Sequence, residues 1–165
     1  MIDPRALRRA FGHFATGVTI VTTRDREGAP VGVTASSFNT VSLSPPLVLW
    51  SIGRSAYSFD TFSTASHFAI HVLDADQRAL SDRFARASSD KFAGVRLAQG
   101  EGGVPLIDGI QTVFECETAQ RHDGGDHLIL VGRVLSFRLP SHEADPLLFH
   151  CGRYAAMDRS DRMLA

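Results

Sequence analysis

A chain of 165 residues, 44% hydrophobic and 21% charged, suits one soluble domain with one sizeable core. With Lys+Arg at 17 and Asp+Glu at 18, the net charge of −1 removes the electrostatic case for nucleic acid or membrane as the main partner, and is compatible with self-association. The cleanest apolar run, 47–50, is too short to span a bilayer, and no signal peptide is expected at the N-terminus. Cys116 and Cys151 form no metal-like pair; both are expected to be reduced and mostly buried in a cytoplasmic protein.

In chain order, Asp3-Pro4 opens a helix, a capping carboxylate followed by proline at the first helical position. Leu7, Ala10, Phe11 and Phe14 recur at helical spacing, and the helix should end near Gly17. The β-branched run 17–23 predicts a strand, 24–30 a polar turn, and a second strand starts near Val31 and runs into 34–38. After Ser44-Pro45-Pro46, residues 47–52 read as a buried strand, 55–64 as a short helix and 67–73 as a strand. Asp74 caps a helix reaching about Phe84, and 87–105 is loop-rich. Residues 110–120 alternate, with Ile110, Thr112, Phe114 and Cys116 on one face; 123–126 is a turn and 128–139 the returning strand. A short strand at 147–149 leads to Arg153-Tyr154, and a polar tail follows Met157. Strands and a long hairpin, broken by short helices, do not alternate as βαβ units do. The pattern is mainly β: an antiparallel barrel with peripheral short α-helices, one domain over 1–165 with its core at about 3–154 and a tail at 158–165.

There is no G-x-G-x-x-G after a strand, no phosphate-binding P-loop and no G-x-S-x-G elbow. His67 and His71 are four apart on a strand and need not pair as ligands, so no metal site is expected. Four segments carry polar chemistry, each with an ordinary structural alternative. Thr34, Ala35, Ser36, Ser37 and Phe38 place hydroxyls and main-chain amides where a strand gives way to a loop, suited to a phosphate or the polar edge of a flat ring; taken alone, the residues favour a strand end capped by its own side chains. Ser51, Ile52, Gly53, Arg54 and Ser55 form a second polar elbow, with Ser55 a candidate helix cap and Arg54 a candidate anion contact. Asp82-Arg83-Phe84-Ala85 and Asp90-Lys91-Phe92 flank a loop able to cover a planar ring and its phosphates; the alternative is an ordinary helix end with Phe84 buried in the core. Gly124-Gly125-Asp126-His127 permits a tight bend with an imidazole beside it, the alternative being a solvent-facing turn histidine.

The order of these segments is more specific than any one of them. FATGVTIVTT at 14–23, GVTASSF at 32–38, VSLSPPLVL at 41–49, HFAIHVL at 67–73, DKF at 90–92, GGDH at 124–127 and PLLF at 146–149 with Tyr154 together resemble the short-chain flavin reductase family of two-component monooxygenases. The similarity runs from about Asp3 to Tyr154 and looks closest to reductases serving aromatic- or steroid-ring hydroxylases, halogenases and other flavin-dependent monooxygenases. His71 stands where that family often has asparagine.

The resemblance implies an FMN-binding split β-barrel, usually a homodimer, with the flavin pocket near the interface. It implies an NAD(P)H:flavin oxidoreductase that reduces FMN or FAD with NADH or NADPH and releases reduced flavin to a separate monooxygenase. Thr34, Ala35, Ser36, Ser37 and Phe38 would line the flavin ring, and Ser51, Ile52, Gly53, Arg54 and Ser55 its ribityl chain and phosphate. Phe84, Lys91 and Phe92 would belong to a covering loop, His127 would position the nicotinamide, and Tyr154 would sit near the same mouth. Alternatives left open by the residues are a flavin-binding electron carrier or oxidase-like barrel without NAD(P)H turnover, and a non-catalytic ligand-binding module.

Overall fold

The structure, a computed structural model, describes residues 2–141 and 143–157; the tail at 158–165 lies outside the described residues. Helix α1 (Pro4–Gly12) begins as its capping residues require: the Asp3 carboxylate accepts from the Arg5 amide at 2.9 Å, and Pro4 occupies the first turn. It ends at His13, short of Gly17, and buries none of its residues. Phe11 and Phe14, which recur at helical spacing, are exposed. Periodicity identifies an apolar face but not what covers it.

Strands β1 (Thr16–Gly17), β2 (Thr19–Arg24), β3 (Pro30–Ala35), β4 (Asn39–Leu43) and β5 (Pro46–Gly53) follow. Helix α2 (Phe59–Thr64) precedes β6 (His67–Val72); a 3₁₀ turn at Ala75–Gln77 leads into α3 (Arg78–Ala85). Then come β7 (Leu97–Gln99), β8 (Pro105–Ile107), the long hairpin β9 (Thr112–Gly124) and β10 (His127–Arg138), and finally β11 (Leu148–His150) and β12 (Arg153–Ala155). Seven strands form one sheet in the order β3-β2-β6-β9-β10-β5-β4, with β1-β11-β12 and β7-β8 as smaller sheets. Every strand pairing is antiparallel. The expected mainly β fold with short helices is present. The strand order of the large sheet ends at β3 and β4, so its ladder is open.

Central strands β2 and β6 are buried on both faces and divide the core. Val18, Ile20, Ala69, Leu73, Phe84, Ile107 and Val113 belong to one cluster; Val21, Trp50, Phe62, Phe68, Ile70, Cys116 and Leu130 form the other. Ile110 joins the first cluster while Phe114 and Cys116 face the second, correcting the single face expected for them. Ile110 precedes β9, so strand alternation does not extend to it. β4 and the small β7–β8 hairpin lie in stretches whose glycines, prolines and serines mask their strand character.

Cys116 is buried, and burial, with the neighbouring Glu115 carboxylate, pushes its thiol up to about 12. Cys151 is exposed, contrary to expectation, because it occupies the turn between β11 and β12.

His71 is fully buried on β6. Its Nδ1 lies 3.1 Å from the Ile20 carbonyl, and the Ile107 amide donates to its Nε2 at 3.1 Å. Only the neutral ring with its proton on Nδ1 satisfies both contacts. Burial lowers its pKa to about 4, against 6.5 in an open chain. The unfolded chain therefore binds the proton first: this contribution is complete above about pH 6.5 and disappears as pH falls to about 4. The linked loss amounts to about 3 kcal/mol. An asparagine amide offers a donor and an acceptor without titrating. Denaturant unfolding at pH 7 and pH 4.5 should therefore show a smaller acid-side loss for His71→Asn than for the parent. An equal loss in both proteins would remove His71 from the acid sensitivity.

Candidate functional site

The chain leaves β3 at Ala35 and bends at exposed Ser36. Ala35 is held from behind by the Thr19 hydroxyl, which donates to its carbonyl at 2.8 Å. The Ser37 hydroxyl then donates to the Ser51 carbonyl and accepts from the Ser51 amide, both at 2.9 Å. One side chain thus satisfies both main-chain groups of a residue in β5, as a strand partner does. Phe38 stacks on Phe114 with ring centroids 5.6 Å apart. Among the described residues β3 pairs with β2 alone, so its other edge has no partner strand.

β5 carries the second predicted segment directly away from this junction. Ile52 is buried in the core and offers almost no surface. Gly53 is the cross-strand partner of His127, and a Cβ at Gly53 would lie 3.6 Å from His127 Nε2. The imidazole therefore lies over the glycine. Its Nδ1 is 2.7 Å from the Asp126 carboxylate, and the side chain remains 49% exposed. The hydrogen bond from His127 holds the Asp126 carboxyl below its usual range.

Arg54 clamps the tip of the β9–β10 hairpin. Its amide donates to the Asp126 carbonyl at 2.9 Å, its Nε to the Gly125 carbonyl at 2.9 Å, and its terminal nitrogen to Asp123 at 3.0 Å. This hydrogen bond depresses the Asp123 carboxyl. Gly125 has φ 76°, the left-handed turn conformation that glycine accommodates. Ser55 does not cap α2: the helix starts at Phe59, with Ser58 at the cap position, and Ser55 lies exposed in the preceding turn. A six-residue helix starting there removes the anion site inferred from a cap at Ser55.

The remaining candidates gather around α3. The Thr34 hydroxyl donates to the Ser81 carbonyl at 2.7 Å. Tyr154 OH lies 2.9 Å from Ser81 Oγ and donates to Asp82 at 2.9 Å, while the Arg78 guanidinium stands 4.9 Å from its ring centroid. Desolvation raises the Tyr154 pKa, and the Asp82 carboxylate adds to the rise. Tyr154 is therefore fastened to α3, with Thr34 as the link toward the 34–38 loop. Ser81 carries no motif, and Asp82 stands out in the sequence only as a charged neighbour of Phe84; the place of both becomes apparent only when β12 returns beside α3.

Phe84 is fully buried, with Phe92 edge-on at 4.8 Å, so it belongs to the core. A Cβ at Gly32 would meet the Phe84 ring at 2.6 Å, which explains the glycine in β3. Lys91 is buried too, and its ammonium donates at 3.0 Å to the carbonyls of Gly32 and Phe84. It fastens the end of α3 to β3, a helix C-terminus being where a cation is favoured. Desolvation lowers its pKa.

Two groups emerge. Loop 34–38, the end of β5 and His127 form a wall of hydroxyls, main-chain groups and one imidazole. Phe84, Lys91, Phe92 and Tyr154 brace that wall from α3. The donor set of the wall is neutral, which fits a flat heteroaromatic ring with a polar edge. A broad open cleft lined by Thr23, Arg24, Asp60, His67 and Gly102 shares none of these residues, and its polar rim contains none of the chemistry above.

Comparison with known proteins gives a consistent result. The flavin reductase like domain matches residues 11–158. The chain is 48% identical over 157 residues to the FMN reductase (NADH) SmoA of Agrobacterium fabrum, covering 95% of this chain and 88% of that protein. It is 50% identical over 133 residues to the reductase component of the flavin-dependent trigonelline monooxygenase of Acinetobacter baylyi, covering 81% of this chain but only 43% of that longer protein. The solved structure of the NADH:FAD oxidoreductase SgcE6 from Streptomyces globisporus, in complex with NAD and FAD fragments, superposes with a TM-score of 0.86 at 40% identity, covering 98% of each chain.

Lys91→Met should leave two buried carbonyls without their donor, at a cost of about 1–3 kcal/mol. The flavin-free variant should melt several degrees lower than the parent. An unchanged melting temperature combined with weakened flavin binding would instead make Lys91 a ligand contact.

Proposed function

The chain belongs to the flavin reductase family, and from that premise we propose that it is an NAD(P)H:flavin oxidoreductase supplying free reduced flavin to a separate monooxygenase. One observation carries the reading. Ser37 joins the hydroxyl-rich loop to Ser51, and only two residues further along β5 Gly53 lies under His127. A wall for one flat ring thus stands next to an imidazole able to orient a second. The relatives' names agree: one is an FMN reductase using NADH, another an NADH:FAD oxidoreductase. NADH is accordingly the first donor to test, with either FMN or FAD as acceptor.

Bound flavin would supply the hydride acceptor, at N5, and the reduced nicotinamide the hydride. The protein's part is alignment, and no acid–base pair is required for that transfer. Ser36 and main-chain groups at the edge of β3 would hold the polar rim of the ring. Ser37 holds the loop in place through Ser51. In the neutral imidazole, Nδ1–H donates to Asp126, leaving Nε2 as an acceptor for a carboxamide N–H. Arg54 keeps the hairpin tip rigid through Asp123 and Gly125, Tyr154 ties β12 to α3, and Lys91 ties the end of α3 to β3.

We take the protein to be a homodimer. Ser42 on β4 pairs with Leu47 on β5, which pairs with Arg133 on β10. Val41 and Leu43 on edge strand β4 are exposed, as are Leu135 and Phe137 on β10, on the far side of β5. Exposed large apolar side chains on strands of one sheet suit a second copy of the chain. Two free thiols fit a reducing compartment such as the cytoplasm, and among the described residues no helix is long and apolar enough to cross a membrane.

Steady-state assays with FMN and FAD against NADH and NADPH test the activity; failure to accelerate any of the four combinations would overturn it. His127→Ala should raise KM for the nicotinamide about fivefold, the equivalent of one hydrogen bond, and shift KM for flavin much less. Equal KM values for the nicotinamide in variant and parent would take His127 out of that role. Leu43→Asp should convert a dimer to a monomer by light scattering; a parent protein already monomeric at micromolar concentration would refute the dimer.

A further inference from the structure

The turn joining β11 and β12 lies against the C-terminal end of α1. The Cys151 amide donates to the Gly12 carbonyl at 2.7 Å, and a Cβ at Gly12 would stand 3.4 Å from the Cys151 Cα. Around this main-chain contact three exposed side chains converge: His13, His150 and Cys151, whose ligand atoms all lie within 4.8 Å of one another. Cys151 Sγ is 3.7 Å from His13 Nδ1 and 3.5 Å from His150 Nε2. A tetrahedral ion with a zinc–sulfur bond of about 2.3 Å and zinc–nitrogen bonds of about 2.05 Å needs a sulfur–nitrogen separation of about 3.6 Å. Both measured separations match it.

The backbone supplies a second, independent observation. Cys151 has φ 48° and Gly152 φ 76°, so both residues of this two-residue turn are left-handed. Asparagine, aspartate and glycine are the usual choices there, and a cysteine costs about 1 kcal/mol. That strained turn holds the thiol between the two imidazoles.

We propose that His13, His150 and Cys151 bind a divalent transition-metal ion, zinc by preference, which staples α1 to the β11–β12 turn. One thiolate and two imidazoles suit zinc and disfavour calcium and magnesium, which take oxygen ligands. Binding releases the Cys151 thiol proton, and water completes the fourth position. The staple has a mechanical use, because α1 buries none of its own residues. The site is independent of the flavin reading.

The test is titration of the chelator-treated, reduced full chain with Co(II). One equivalent should produce a near-ultraviolet thiolate-to-cobalt band with strong visible bands, and Zn(II) should abolish both. Cys151→Asn suits the left-handed turn and removes only the thiol, so a folded variant lacking the near-ultraviolet band is expected. His13→Gln and His150→Gln should each weaken Co(II) binding by about tenfold or more. Zn(II) should raise the melting temperature of the parent but not of Cys151→Asn. Absence of the band at saturating Co(II), or its survival in Cys151→Asn, would overturn the proposal.

Discussion

The candidate site depends on one side chain that behaves as a strand partner. In the order of the large sheet, four strands separate β3 from β5, yet the residue two places past β3 exchanges both its hydrogen bonds with the main chain of Ser51. The sheet must curl to bring these two parts of the chain together. The ladder itself ends at β3 and β4, so the join is made by a hydroxyl and not by a further strand. Among the described residues the outer edge of β3 is thus left without a partner strand, and Lys91 satisfies the Gly32 carbonyl of that strand.

Buried polar groups hold the rest of the scaffold in register. His71 spans β2 and β8 as a neutral ring, and Lys91 closes two carbonyls at the junction of β3 and α3. Each satisfies groups that would otherwise be costly to bury. In the family's strand motif His71 occupies a position often held by asparagine; both side chains offer a donor and an acceptor to buried main chain. Arg54 does comparable work at the surface, where three contacts fix a hairpin tip that its glycines would otherwise leave loose.

Rigidity of this kind suits the chemistry. Hydride transfer between two bound rings needs distance and orientation more than proton traffic. The absence of a nucleophile elbow or carboxylate pair in the sequence agrees with the neutral wall of the site. Tyr154 and Lys91, read from the sequence as groups at the mouth or on a covering loop, act in this fold as braces behind it.

The sequence by itself determined the antiparallel β character, the long hairpin and the family resemblance, because alternation, turn residues and ordered motifs are local properties of the chain. It did not reveal β4, the burial of Lys91 or the exposure of Phe11, and it left Phe84 open between the core and a covering loop, since these depend on which surfaces the rest of the chain covers. Only the tertiary structure decided that Ser37 would meet Ser51, that Gly53 would lie beneath His127, and that His13 would stand beside Cys151, 138 residues away. Each of these meetings is made by strand register and sheet curvature, which act between distant segments and leave no periodic trace in either one.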